Sequence, residues 1–222
     1  MTISDDSWSP RIRQIADLER QDHWYLRDTD KCYLFGEYSS GKGWAHSTTN
    51  QLVSNLKKDP ALIATSQWVH KLNAIHRISA AIRANLKADA LVDTAFVPVP
   101  PSKPPNHPDY DDRMVQVARS IDPNCDVREI LFASEPRDPR HTSGARRDPA
   151  ALRASLDVRT DLLRGLADRP IVLLDDVLTT GCSYTVCHDI LAELLPSCSI
   201  VGVFVARRVV RRASEDFAEI EF

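Results

Sequence analysis

Between Ile171 and Thr185 the chain reads IVLLDDVLTTGCSYT, and few architectures accommodate such a stretch. Four consecutive apolar residues leave no polar face, so a strand built from them must be covered on both sides, as in a parallel sheet with helices above and below it. The strand ends in Asp175 and Asp176, passes through small hydroxyl residues and Gly181, and enters SYTVCHDILAELL (183–195), which has helical periodicity. Strand, tight loop and helix make up half of a βαβ unit.

The flanking sequence repeats this alternation. TAFVPV (94–99), VREILFA (127–133) and SIVGVFVA (199–206) are strand-like, and DRMVQVARSI (112–121) is helix-like. The expected fold class is therefore α/β, an open, doubly wound, mainly parallel sheet from about residue 91 to 222. In such sheets ligands bind beyond the carboxyl ends of the strands, which directs attention to the loops after Val99, Ala133, Leu174 and Ala206. VPVPPSKPPNHP (97–108) holds six of the 14 prolines, so it is a loop, because proline removes backbone donors and fixes φ.

Residues 1–90 read differently. A strand is expected at about 32–38, then a turn at Gly41 and Gly43, a helix capped near Ser47, and a second helix from Asp59 and Pro60 to about Lys87. In that second helix Leu62, Ile63, Trp68, Val69, Leu72, Ile75, Ile78, Ile82 and Leu86 form one apolar stripe. The expectation is an N-terminal, mainly helical hood or interaction region preceding the sheet. Tyr33, Phe35, Tyr38 and Trp44 are read as packing residues rather than base-stacking ones.

Composition narrows the function classes. With 28 basic and 31 acidic residues the net charge is −3, which argues against nucleic-acid binding by bulk charge. No run approaches the ~20 apolar residues of a membrane span, and the opening MTISDDSWSP is polar and acidic, so a cytoplasmic location is expected. The five cysteines never fall as C-x-x-C, suggesting neither a disulfide framework nor a zinc ribbon, and no transition-metal site is expected.

The chemistry concentrates at the end of the 171–176 strand. Two adjacent carboxylates suit a diol or a metal-bound sugar. Thr179, Thr180, Gly181, Cys182 and Ser183 then offer hydroxyls and backbone N–H groups at a helix N-terminus, where the helix dipole favours an anion and glycine permits close approach. Carboxylates beside a phosphate cradle describe a binder of a phosphorylated sugar. The absence of G-x-x-x-x-G-K-[ST] removes the ATPase alternative.

This segment resembles the ribose-phosphate signature of the type I phosphoribosyltransferases, in which four apolar residues precede two acids and a T-T-G turn. The resemblance implies an enzyme that transfers ribose 5-phosphate from phosphoribosyl pyrophosphate (PRPP) to a nucleobase or other nitrogen acceptor and releases pyrophosphate. By the same resemblance Asp175 and Asp176 are the catalytic pair on the ribose hydroxyls, Val177 and Thr179 to Ser183 enclose the 5′-phosphate, and Mg²⁺ lies near the two acids. FVPVPPSK (96–103) is similar to the family's pyrophosphate loop, implying contacts from Pro100, Ser102 and above all Lys103.

ComF-like members of the family are the nearest in pattern. Arg113 and Gln116 echo their R-G-x-N-Q sequence, which makes Arg113 a second pyrophosphate candidate. The arginine-rich stretch 135–158 reads as a lid, with Arg140, His141, Arg146 and Arg147 placed to neutralise phosphate. Family members commonly dimerise, which implies a homodimer. Two other readings stay open: a non-catalytic PRPP or nucleotide sensor, and an accessory or effector in DNA uptake or antiphage defence.

Overall fold

A computed structural model of the chain describes residues 8–136 and 148–209. Its centre is a six-stranded sheet in the order β1-β2-β8-β7-β3-β4, with a separate two-stranded sheet β5-β6. The strands are β1 (Trp8–Gln14), β2 (Cys32–Ser39), β3 (Ala95–Pro98), β4 (Asp126–Val127), β5 (Leu131–Ala133), β6 (Leu156–Val158), β7 (Ile171–Leu178) and β8 (Ile200–Val209). All neighbours in the large sheet are parallel except β1 against β2. This is the mainly parallel α/β sheet expected from the apolar runs.

The helices are α1 (Asp17–Arg20), α2 (Thr48–Leu56), α3 (Trp68–Ala84), α4 (Ala88–Asp93), α5 (Arg113–Arg119), α6 (Pro149–Ala154) and α7 (Cys182–Leu194). Two cores result, one on each face of the sheet. On one face Tyr184, Cys187, Ile190 and Leu191 of α7 pack with Leu173 and Phe204. On the other, Leu52, Val53 and Leu56 of α2, Ile75, Ile78 and Ile82 of α3, and Met114, Val117 and Ala118 of α5 pack with Phe96, Leu174 and Val203. Strand alternation distributes β7 accordingly: Leu173 serves the first core and Leu174 the second.

Three expectations change. Residues on the two sides of position 90 share one sheet and one core, because β2 lies parallel to β8 in full register from Cys32↔Gly202 to Ser39↔Val209. The segment before residue 90 also contributes β1, whose polar pattern WSPRIRQ masked it in the sequence. Its helices α2 and α3 cover the sheet.

The long helix from Pro60 is broken. Asp59 does cap Ala61, but Pro60–Ala64 is a 3₁₀ turn, and Thr65 is extended, with its hydroxyl donating to the Leu62 carbonyl. A hydroxyl that bonds backward to the backbone competes with helix continuation. Consequently the stripe is buried only in its second half: Ile75, Ile78 and Ile82 are core, whereas Ile63, Val69 and Leu72 are exposed. Finally, VREILFA does not form one strand. Its first residue pairs with β3 in the large sheet, and Leu131–Ala133 turns away to pair antiparallel with β6.

The last strand, β8, lies between β2 and β7, and Arg207 near its end is buried in ion pairs with Glu19 at 2.9 Å and Glu37 at 2.7 Å.

Candidate functional site

A cavity of about 520 Å³ opens at the carboxyl ends of β3, β5 and β7. Its lining includes Asp175 to Thr179, Gly181 and Ser183 on one side, Pro98 to Ser102 and Tyr110 to Val115 on another, and Glu129, Leu131 to Ala133, Asp148 and Leu152 from the small sheet and α6. The parallel sheet therefore delivers the acid pair, the start of α7 and the proline-rich loop to one place, as strand-end geometry requires.

The residues singled out in the sequence divide as follows. Asp175, Asp176, Val177, Thr179, Gly181, Ser183, Pro100, Ser102 and Arg113 line the cavity. Thr180 lies on the same turn outside the lining, and its carbonyl accepts from the Tyr25 N–H at 3.0 Å. Cys182 is fully buried in the α7 core beneath the loop, so it offers no surface to a ligand. Lys103 does not line the cavity: the loop leaves it after Ser102 and returns at Tyr110. Arg140, His141, Arg146 and Arg147 lie outside the described residues.

The loop from Thr179 to Ser183 is braced from behind by the N-terminal segment. The His23 ring donates from Nδ1 to the Thr179 carbonyl, and the Thr185 hydroxyl donates to the Tyr25 carbonyl at 2.9 Å. Leu26 packs against Gly181, which adopts φ +85° and ψ −9° as the N-cap of α7. Only glycine takes that left-handed conformation at no steric cost. Burial lowers the pKa of His23 and the charges of Arg207 and Arg208 push the same way, against the bond to the Thr179 carbonyl, which requires a proton on Nδ1.

Opposite this loop stands an ion-pair chain that sequence reasoning missed. Asp176 is buried, its Oδ1 3.0 Å from Lys57 Nζ and its Oδ2 accepting from Arg113 Nε at 2.9 Å and Nη2 at 2.5 Å. Arg113 Nη1 donates to Asp111 Oδ2 at 2.7 Å, and Asp111 Oδ1 accepts from Lys71 Nζ at 2.7 Å. Lys71 is fully buried and also donates to the Lys58 carbonyl at 2.7 Å. Besides β7, three separate elements supply these groups: the end of α2, the first turn of α3, and the start of α5 with the loop just before it. Lys57, Lys71 and Asp111 carry no motif in the sequence, and only the packing of those elements on one sheet face brings them to Asp176.

Electrostatics separates the two acids. Burial, and then the charge of Asp176, pushes the Asp175 carboxyl well above the usual carboxylate range. Burial alone would raise Asp176 as well, but Lys57 and then Arg113 outweigh it and hold this carboxylate below that range. Among the described residues Asp175 has no ion pair; its Oδ1 accepts from the Asp176 N–H at 2.8 Å.

A raised carboxyl pKa means that the folded state holds this proton more tightly than the unfolded chain does. The stability contributed by Asp175 is complete below about pH 4, its unfolded value, and is lost as pH rises through the raised folded value. Urea unfolding at pH 5 and pH 8 should therefore show Asp175→Asn gaining on wild type at the higher pH. An identical difference at both pH values would sink this assignment.

Fold and site together define an α/β protein with a mainly parallel sheet whose cavity sits at the strand ends and joins a glycine-capped helix N-terminus to a buried acid pair. No family model matches the chain, and no curated protein matches it. Two crystal structures of a hypoxanthine phosphoribosyltransferase from Staphylococcus aureus, in tetragonal and orthorhombic crystals, align with 61% and 62% of this chain and with 72% and 74% of their own. The identities are 14% and 15%, and the TM-scores 0.37 and 0.36. No described helix is long and apolar enough to cross a membrane.

Proposed function

We propose that this chain binds PRPP and transfers its ribose 5-phosphate to a nitrogen acceptor, releasing pyrophosphate. One observation carries the reading: the acid-bearing end of β7 and the N-terminus of the 13-residue helix α7 border the same cavity. A sugar phosphate needs both groups within one molecule's length. The N–H groups of Thr179, Gly181 and Ser183 and the two hydroxyls among them take the 5′-phosphate, with the helix dipole favouring its charge. Asp175, partly exposed at the cavity wall, takes the ribose hydroxyls. Val99 to Ser102 form the facing wall.

Transfer leaves positive charge on the sugar and negative charge on the departing pyrophosphate. The residues fit a magnesium ion in the chemistry of their donors, since the Asp175 carboxylate provides hard oxygen of the kind Mg²⁺ prefers. Bound there, the ion would supply charge neutralisation to the departing group. The chain's own part is to hold the sugar, present cations and exclude water that would otherwise capture the activated carbon.

Thermal unfolding with and without Mg²⁺-PRPP tests the binding. At about 100 times Kd a ligand specific for the folded state adds ~2.7 kcal/mol, which for a chain of this size is a rise of roughly 5–10 °C. Wild type should show that rise, and the Asp175→Ala/Asp176→Ala double variant should not. No rise in folded wild type overturns the proposal. Given binding, pyrophosphate release in an acceptor screen identifies an enzyme, and its absence a sensor.

A further inference from the structure

We propose that Asp176 acts as the counter-ion that orients Lys57 and Arg113 into a two-cation seat for the diphosphate end of the ligand, leaving Asp175 alone to meet the sugar hydroxyls. The inference rests on the reading above and divides the acid pair into two jobs.

Asp176 is 6% exposed, and cations take both of its oxygens. A sugar diol could reach it only by breaking charge-assisted bonds in a buried setting, where they are strongest. Asp175, one residue earlier, carries no such load among the described residues. Strand alternation accounts for the difference. Asp176 follows Leu174 onto the face covered by α2, α3 and α5, where Lys57 and Arg113 meet it.

The two cations keep donors for a ligand. An ammonium has three hydrogens, and Lys57 Nζ spends one on Asp176 while its side chain stays 41% exposed. Arg113 is fixed from the other side by Asp111, which is itself tied to buried Lys71. Lys57 is also the C-cap of α2, its N–H donating to the Val53 and Asn55 carbonyls, so its charge sits favourably at a helix C-terminus. The rest of the cavity needs such a seat. Lys57 and Arg113 are the only lysine or arginine among its described lining residues, against Asp111, Asp112, Glu129, Asp148 and the acid pair. An anionic diphosphate therefore finds its attraction where these two side chains point.

Calorimetric titration of Mg²⁺-pyrophosphate and, separately, of ribose 5-phosphate tests the division, using wild type, Lys57→Met, Asp175→Asn and Asp176→Asn. Lys57→Met should weaken pyrophosphate binding by about tenfold or more and leave ribose 5-phosphate unchanged. Asp175→Asn should weaken ribose 5-phosphate most, and Mg²⁺-pyrophosphate only to the extent that the ion loses the Asp175 oxygen. Asp176→Asn keeps an acceptor for the cations and removes the opposing charge, so pyrophosphate should bind several-fold tighter with ribose 5-phosphate unaffected.

The inference falls if Asp176→Asn weakens ribose 5-phosphate as Asp175→Asn does, or if Lys57→Met leaves pyrophosphate binding intact. Should Asp176→Asn fail to fold, the partly exposed Lys57→Met decides alone. If wild type binds neither probe, the phosphoribosyl reading itself is wrong and the inference goes with it. Ribose 5-phosphate binding with the wrong variant pattern overturns only the division of labour.

Discussion

Replacing Asp111 with alanine should destabilise the protein by about 3–5 kcal/mol, the range found when one partner of a buried ion pair is removed. The ammonium of Lys71 has no exposure and has Asp111 Oδ1 at 2.7 Å as its counter-ion. Its remaining contacts are the neutral Lys58 carbonyl and the face of Trp68, 5.1 Å from the ring centre. Neither replaces a full negative charge. Burial already lowers the pKa of Lys71, with the Asp111 bond opposing it, so deleting Asp111 drives Lys71 toward its neutral form at a cost to folding. Lys71→Met in the same background removes the stranded charge and should recover much of the loss. Urea unfolding of the two single variants and the double variant reads this directly. A cost below about 1 kcal/mol for Asp111→Ala would show a surface-like pair instead. Arg113 loses its second anchor in the same variant, so pyrophosphate affinity should fall along with stability.

Gly181→Ala is expected to cost about 2–5 kcal/mol and to abolish the PRPP-dependent rise in melting temperature. Two penalties combine. A left-handed conformation costs an L-residue roughly 1–2 kcal/mol, and crowding a packed site about 1–3 kcal/mol more. A Cβ at Gly181 would stand 3.0 Å from both Cγ and Cδ2 of Leu26 and 3.2 Å from its backbone nitrogen. The leucine side chain can rotate, but the backbone nitrogen is held by its bond to the His23 carbonyl at 2.8 Å. The loop must therefore move, and the proposed phosphate contacts with it. Gly41→Ala is the control: φ is also positive, at +78°, yet nothing lies within 4 Å of the added carbon, so only the conformational penalty remains. Equal losses at the two glycines would show that the Leu26 brace is unimportant.

Much of the sheet was legible because its signals are local. IVLL and IVGVFV are apolar along their whole length, and β7 and β8 are buried on both faces as that pattern demands. TAFVPV, DRMVQVARSI and SYTVCHDILAELL became β3, α5 and α7. The helix N-cap at Ser47 was readable too, its hydroxyl accepting from Asn50 at 3.1 Å. β1 was not readable, since an edge strand with most of its side chains exposed carries no apolar pattern. Nor was the division of VREILFA between two sheets, which depends on where β6 returns some twenty residues later. The helix break at Thr65 rests on a single hydroxyl bond that competes with helical continuation.

The sequence by itself determined a parallel α/β sheet, two acids at the end of a central strand and a glycine-capped helix start beside them. Each follows from residues adjacent in the chain, through side-chain alternation, the conformational freedom of glycine and the orphan N–H groups of a helix end. Tertiary structure alone decided which charges surround those acids. Lys57, Lys71 and Arg113 come from α2, α3 and α5, with Asp111 just before α5, and the chain of ion pairs they form reaches Asp176 only because those three helices bury apolar residues against the same sheet face. Coulomb interactions depend on distance in space rather than along the chain, so the charge state of the site had to wait for the packing.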